Sequence, residues 1–220
     1  MSNFGFKHLR VVNPFEAAFR EARSAVSAAP LLAQAEEFQS VADAVADCSL
    51  VVGTTALSRR NPEHVVRHLP EGVRLVRKRL ARSKVALLFG SEKRGLSNED
   101  FSYCHWLLSI PTREAHRSMN LGQAVAVCLY ELSRDAKRGH RSEAVTLARA
   151  SDLERLTSLL LDALRSSGYL KSRSREDSAA PFATREEERI RRFVRRMNLS
   201  SADADQLTGI LRQILWKVSV

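Results

Sequence analysis

Val85-Ala86-Leu87-Leu88-Phe89-Gly90-Ser91-Glu92-Lys93-Arg94-Gly95-Leu96-Ser97 opens on a short apolar run and ends in a polar loop bounded by two glycines. A run this short and this uniformly apolar, stopped by glycine, is the pattern of a strand buried on both faces. The same pattern recurs on either side of it. Leu9–Val12 (LRVV) stops at Asn13-Pro14, Ser49–Gly53 (SLVVG) stops at a Thr-Thr pair, and Trp106–Ile110 (WLLSI) stops at Pro111. The stretches between them read as helices: residues 15–24, residues 30–46, an amphipathic Val73–Ala81, and one long helix over Met119–Lys137. Continuous apolar strands alternating with helices predict an α/β fold with a parallel sheet covered on both faces. In such sheets ligands bind beyond the carboxyl ends of the strands. Those ends read Gly53-Thr54-Thr55-Ala56, Gly90-Ser91-Glu92 and Ile110-Pro111-Thr112.

The chain has 220 residues, 44% of them hydrophobic and 27% charged, which suits one ordinary domain with a small appendage. No apolar run reaches the roughly 18 residues that a membrane span requires, and no signal peptide opens the chain. The expected location is the cytoplasm, with no membrane partner. Three scattered cysteines, Cys48, Cys104 and Cys128, argue for buried thiols rather than a disulfide framework or a zinc site, and no metal is expected. The net charge of +10 points to a polyanion such as nucleic acid. Residues 1–138 carry 20 basic and 14 acidic side chains, and residues 139–220 carry 15 and 11, so both parts contribute.

The second part contains no strand pattern. Residues 139–150 begin in the polar KRGHRS stretch and read as a linker, and residues 151–220 as a small all-helical module. Ser151 to Glu154 has the form of a capping box, followed by Leu153, Leu156, Leu160 and Leu164 at helical spacing, with Gly168 as the stop. Thr184 to Glu187 is a second box, and Ser200 can cap a last helix with Leu207, Ile210, Leu211, Ile214 and Leu215 as its apolar stripe. Between Arg185 and Arg196 stand six arginines. The expectation is a module that folds by itself and uses those arginines on phosphates.

Two motifs carry the chemistry. The loop Gly90 to Ser97 is not a Walker loop, because no Gly-Lys-Ser/Thr closes it. Ser118-Met119-Asn120-Leu121-Gly122-Gln123 starts the long helix, and the N–H groups of a helix start can also meet a ligand. In the order VVGTTALSR, ALLFGSEKRGLSNED, LLSIPT and SMNLGQAVAVCLYEL, the chain resembles the SpoU/TrmH branch of the SPOUT RNA methyltransferases, nearest to the TrmJ-like tRNA 2′-O-methyltransferases. The resemblance implies a parallel-sheet SPOUT fold with a trefoil knot and S-adenosylmethionine as methyl donor. It also implies a homodimer, and a ribose 2′-hydroxyl of tRNA, nucleotide 32 of the anticodon loop, as acceptor. Carried over residue by residue, Thr54, Thr55 and Ala56 line the donor pocket, Gly90 lets the donor lie against backbone, and Ile110 faces the adenine. Ser118, Met119 and Asn120 lie between donor and ribose, and Glu92 orders loops or RNA near the site. The expected catalytic set is Ser118, Asn120 and Glu92.

The family's first motif, a strand, an Asn-x-Gly turn and an arginine held to activate the hydroxyl, precedes a stretch resembling Met1-Ser2-Asn3-Phe4-Gly5. The expectation is therefore a fold without its first strand, with Met1 internal to a longer active protein. The alternative is a catalytically impaired RNA-binding protein. Arg20 and Arg23 are read as structural, His64 and His68 as a solvated pair, and Trp106 and Trp216 as core. Arg74, Arg77, Lys78, Arg79 and Arg82 form a basic run that suits either phosphates or a solvated helix face.

Overall fold

A computed structural model describes residues 1–14, 19, 30–56, 63–113, 118–134, 146–170 and 184–218. After a 3-10 turn at Ser2–Phe4 come β1 (Arg10–Val12), α1 (Pro30–Ala33), β2 (Glu36–Phe38), α2 (Val41–Val45), β3 (Leu50–Thr54) and β4 (Val66–His68). Then follow α3 (Leu69–Leu80), β5 (Val85–Leu88), α4 (Asn98–Ser102), β6 (Trp106–Ser109) and α5 (Leu121–Ser133). The tail supplies α6 (Ala150–Ser166), α7 (Arg185–Arg196) and α8 (Ser201–Val218).

Four strands form a parallel sheet in the order β4-β6-β3-β5, and β1 pairs with β2 in a separate parallel pair. Of the four apolar runs expected as strands, three are β3, β5 and β6 of this sheet, and Leu9–Val12 gives β1 of the separate pair. Within each run alternate residues serve opposite faces, as the strand period of two requires. Leu50, Val52, Trp106 and Leu108 pack with Val73 and Val76 of α3 and with Cys128, Leu129 and Leu132 of α5. Val51 and Leu107 pack on the other face with Val45, Cys48, Leu96, Phe101 and Cys104. All three cysteines are buried and free. Helix α3 crosses the sheet closely enough that a Cβ on Gly72 would lie 2.3 Å from Leu108 Cδ1.

The helix expected over residues 30–46 is instead α1, β2 and α2. Residues 36–38 join β1 in register, Arg10 with Glu36 and Val12 with Phe38, because β1 offers them a backbone partner that helical spacing cannot reveal. Arg10 reinforces the pair through Glu36 at 3.7 Å and by lying over the Phe38 ring, and ties it to Asp47 beyond α2. Helix α3 starts at Leu69, earlier than expected, following the short strand β4 on the open side of β6. The helix expected over residues 15–24, with Arg20 and Arg23, lies outside the described residues.

In the tail, Gly168 (φ 77°) follows the last turn of α6, Thr184 and Glu187 cap α7 reciprocally, and Ser200 caps α8 through Asp203. The start of α6 differs from the expected box. Its cap is Asp152, which accepts from the Arg149 N–H at 3.2 Å. The next two N–H groups, of Ala150 and Ser151, donate to the carbonyls of Cys48 and Ala46. Ala148 and Ala150 are each 1% exposed, so the chain enters α6 packed rather than loose. Trp106 is core as expected, but Trp216 is 61% exposed, because α8 turns Leu207 and Leu211 to α6 and leaves Trp216 outside. No helix among the described residues is long and apolar enough to cross a membrane.

Candidate active site

The carboxyl ends of β3, β5 and β6 meet at one edge, and Thr54 and Thr55 fasten them together. The parallel register places Gly53 opposite Leu88 and Thr54 opposite Leu108. The Thr54 hydroxyl donates to the Leu88 carbonyl at 2.9 Å, and the Thr55 N–H donates to the Leu108 carbonyl at 3.0 Å. Gly90 and Ile110 are therefore the second residues beyond strand positions that the Thr pair holds. Ala56 is exposed and Ile110 half-buried.

Beyond β5 the chain doubles back. The Gly95 N–H donates to the Ser91 carbonyl at 2.8 Å, with Gly95 in the left-handed region at φ 69°. A Cβ on Gly90 would lie 2.0 Å from the Gly95 carbonyl carbon and 2.2 Å from the Leu96 nitrogen, so only glycine lets the loop close on itself. Leu96 plugs the core, and Ser97 and Asp100 then cap α4 reciprocally. The loop is thus pinned at both ends, with Glu92, Lys93 and Arg94 exposed on it.

Asn120 caps α5: its Oδ1 accepts from the Gln123 N–H at 3.3 Å. Its other amide atom, Nδ2, donates to Glu92 Oε1 at 2.8 Å, and the Leu121 N–H reaches the same oxygen at 3.4 Å. Two motifs 28 residues apart in sequence are therefore one hydrogen-bonded unit. Asn120 is oriented from both sides, by its own helix and by the loop after β5. Ser118 is exposed and Met119 half-buried on the approach to Asn120.

The residues assembled at this edge fit an adenosine-bearing donor in kind. They offer half-buried apolar side chains, Ile110 and Met119, and main chain beyond the strand ends. The Thr54 hydroxyl already serves the Leu88 carbonyl.

Other residues singled out from the sequence have different roles. His64 is buried, packs on Phe101 and is held down to about 4 by burial and by the charge of Arg192; of this pair His68 alone is exposed. The deeply buried His105 accepts from the Val51 N–H through Nδ1, and burial pushes it down to about 3. In the basic run, Arg77 donates to the Glu131 and Leu132 carbonyls at the end of α5, so it serves as a helix clamp and not a phosphate contact. The arginines of α7 divide. Arg191 donates to both Glu154 oxygens, bonds Ser102 Oγ at 3.1 Å and stacks over Tyr103 at 4.4 Å. Arg195, 0% exposed, also reaches Glu154, while Arg192 pairs with Glu63 at 2.8 Å. Arg191 and Arg192 thus fasten α7 to the α/β layer, and Arg195 fastens it to α6, instead of facing phosphates. The signal was present in their phase, since Arg191 and Arg195 fall on the side of α7 that carries Val194.

The model of the SpoU rRNA Methylase family matches residues 1–130. Over 97% of its length the chain is 31% identical to a tRNA (cytidine/uridine-2′-O-)-methyltransferase TrmJ of Sodalis glossinidius, of which it covers 83%. It is equally similar to the TrmJ of Photorhabdus laumondii, of which it covers 88%. Among solved structures, TrmJ from Z. mobilis ZM4 superposes with a TM-score of 0.77 at 27% identity, over 97% of this chain and 89% of that one. A putative methylase family protein from Neisseria gonorrhoeae superposes with a TM-score of 0.60 at 25% identity, over 72% of this chain and 83% of that one.

Proposed function

The chain belongs to the SpoU methylase family and is TrmJ-like within it, and from that premise we propose that it methylates a ribose 2′-hydroxyl of tRNA at nucleotide 32, with S-adenosylmethionine as donor. The observation that carries this reading is the hydrogen bond between Glu92 and Asn120, which couples the loop after β5 to the start of α5 at the edge where the strands end.

Thr54, Thr55, Ala56, Gly90, Ile110, Ser118 and Met119 hold the donor, chiefly through main chain and apolar contact. When bound, the donor supplies an electrophilic methyl on a positively charged sulfur. The task left to the chain is to bring a ribose oxygen in line and keep it there, since proximity and orientation are the larger part of such a displacement. Asn120 is suited to this because its side chain has one orientation. Glu92 accepts from Nδ2 and the Gln123 N–H donates to Oδ1. Ser118, exposed beside it, adds a hydroxyl able to accept from or donate to the ribose. As the new O–C bond forms, the S–C bond of the donor would break to leave a neutral thioether, and the 2′-hydroxyl proton would pass to water.

The rest of the reading follows the family. The fold carries a C-terminal trefoil knot, two copies form the working dimer, and the protein acts in the cytoplasm, where its substrate is. Residues 1–138 make the transfer domain, 139–150 the connection, and 151–220 the helical extension. The net charge of +10 supports an RNA substrate.

The test is methyl transfer from labelled donor to unmodified tRNA transcripts, with the modified nucleotide mapped by mass spectrometry. A 2′-O-methyl at nucleotide 32 is the expected product. A product at another nucleotide refutes the position alone, and tRNA binding with no transfer would favour the non-catalytic alternative.

A further inference from the structure

Helix α7 uses its arginines in two ways, and the division runs around the helix. At about 100° per residue, Glu187, Arg191, Val194 and Arg195 fall on one side, and all four are buried. Arg185, Arg189 and Arg196 fall on the other side within about 40° of one another, and all three are exposed. None of these three has an ion-pair partner among the described residues. Phe193 lies beside that row and is 48% exposed. The row is about 16 Å long. It is also firmly mounted, because the opposite side of α7 is bonded to Glu154 of α6 and to Ser102 of α4, while Arg192, on the flank of the row, pairs with Glu63. Ser102 ends the short helix that begins directly after the loop carrying Glu92, and Glu63 lies in the connection that leaves the end of β3. The exposed row is therefore carried on the same elements that form the site edge.

We infer that this face, Arg185, Arg189 and Arg196 with Phe193, is a contact surface for a single-stranded segment of RNA. The arginines take phosphates and the Phe193 ring stacks on an unpaired base. This rests on the proposed activity, for which it names a second region of substrate contact away from the reacting ribose. An arginine row with an aromatic beside it is the arrangement that binds unpaired strands without reading their sequence. Three cations with no ion-pair partner among the described residues, which the helix does not need for its own docking, fit a polyanion. An anionic membrane fits poorly, because the side of α7 opposite the arginines is already bonded to the protein and offers no apolar face to insert.

The experiment compares the full chain with three variants: Arg185→Ala/Arg189→Ala/Arg196→Ala, the same triple to Lys, and Phe193→Ala. Binding of an unmodified tRNA transcript is followed across a series of salt concentrations, and the Arg212→Ala variant on α8 serves as a matched surface control. Circular dichroism melting checks that each variant is folded. The alanine triple should reduce the slope of log K against log salt by about two units, three single-strand contacts at about 0.7 each, and the lysine triple should keep it. Phe193→Ala should weaken binding on the order of tenfold with the slope unchanged. Wild-type affinity and slope in both alanine variants would overturn the inference. So would a loss confined to phosphatidylserine vesicles, which would assign the face to a membrane. Methyl transfer is measured in parallel. Transfer by a triple variant that still binds tRNA normally refutes the surface and leaves the activity standing. Weakened binding in the variants, with no transfer by any form, refutes the activity and leaves the surface standing.

Discussion

The parallel sheet and the helical tail are held by different mixtures of interaction. Val51, Val52 and Leu107 are 0% exposed and their side chains belong to apolar clusters on the two faces of the sheet. The tail has a smaller apolar core, Leu153, Leu156, Val194 and Ala204, and adds charge to it: Glu154 stands between Arg191 and Arg195 and Arg165 meets Glu187 within the tail, while Arg192 meets Glu63 across to the α/β layer. Apolar burial is non-directional, so any strand of the right composition satisfies the sheet. A part-buried carboxylate between two guanidiniums is satisfied only in one arrangement, so the tail's ion pairs specify its pose more than they add to its stability. Arg195 illustrates the cost, with Nε and Nη1 buried and lacking hydrogen-bond partners.

The contrast is breakable, and the largest effect belongs to the sheet. Leu107→Ala should lower the unfolding free energy by about 4 kcal/mol, the range for a fully buried leucine that leaves a cavity, and denaturant titration should show the whole chain melting earlier. Glu154→Ala should cost about 3 kcal/mol, because it leaves two buried cations without a counter-charge. Hydrogen exchange should report that loss in α6 and α7 first. Arg195→Met, which removes charge at similar volume, should be neutral or stabilising by the same reasoning. A large loss there would mean that the tail is held by the charge itself and not only posed by it.

Asn120→Ala tests the site edge, where the two regions give way to chemistry. It should cost about 1 kcal/mol of stability through the lost cap. It should also lower kcat tenfold or more while donor affinity changes little, on the order expected for a contact made mainly in the transition state. Equal losses in kcat and donor affinity would refute that role.

Acid should act through the buried histidines. His64 titrates at about 4 against an ordinary 6.5, so the unfolded chain takes up a proton that the folded chain refuses. The depressed value means that stability is complete above pH 6.5 and is lost as the pH falls towards 4, with His105 adding to the same slope. From His64 alone the loss between about pH 7 and 5.5 should be about 1 kcal/mol. Equilibrium unfolding of His64→Gln should show a flatter pH dependence in that window. The smallest effect is expected for Trp216→Ala, which at 61% exposure should change stability by less than about 0.5 kcal/mol. A larger loss on dilution than at high protein concentration would place Trp216 at an interface between copies.

The strands β3, β5 and β6 were legible from composition alone, because a short apolar run closed by glycine, threonine or proline has few other places in a soluble fold. The caps at Thr184 and Ser200 and the stop at Gly168 were legible for a related reason: each satisfies backbone groups within a few residues of itself. The site motifs were visible as separate segments. Their union in the Glu92–Asn120 hydrogen bond required the sheet to bring together residues far apart in the chain. Tertiary structure decided the rest. It made residues 36–38 a strand by supplying β1 as a partner, and it buried His64 by setting it against Phe101. It also sorted the arginines of α7 into those that bind Glu154 and Glu63 and those left to solvent. Local patterns determine what a segment prefers to be, whereas the partner that a strand edge or a charged side chain meets depends on what the fold places opposite it.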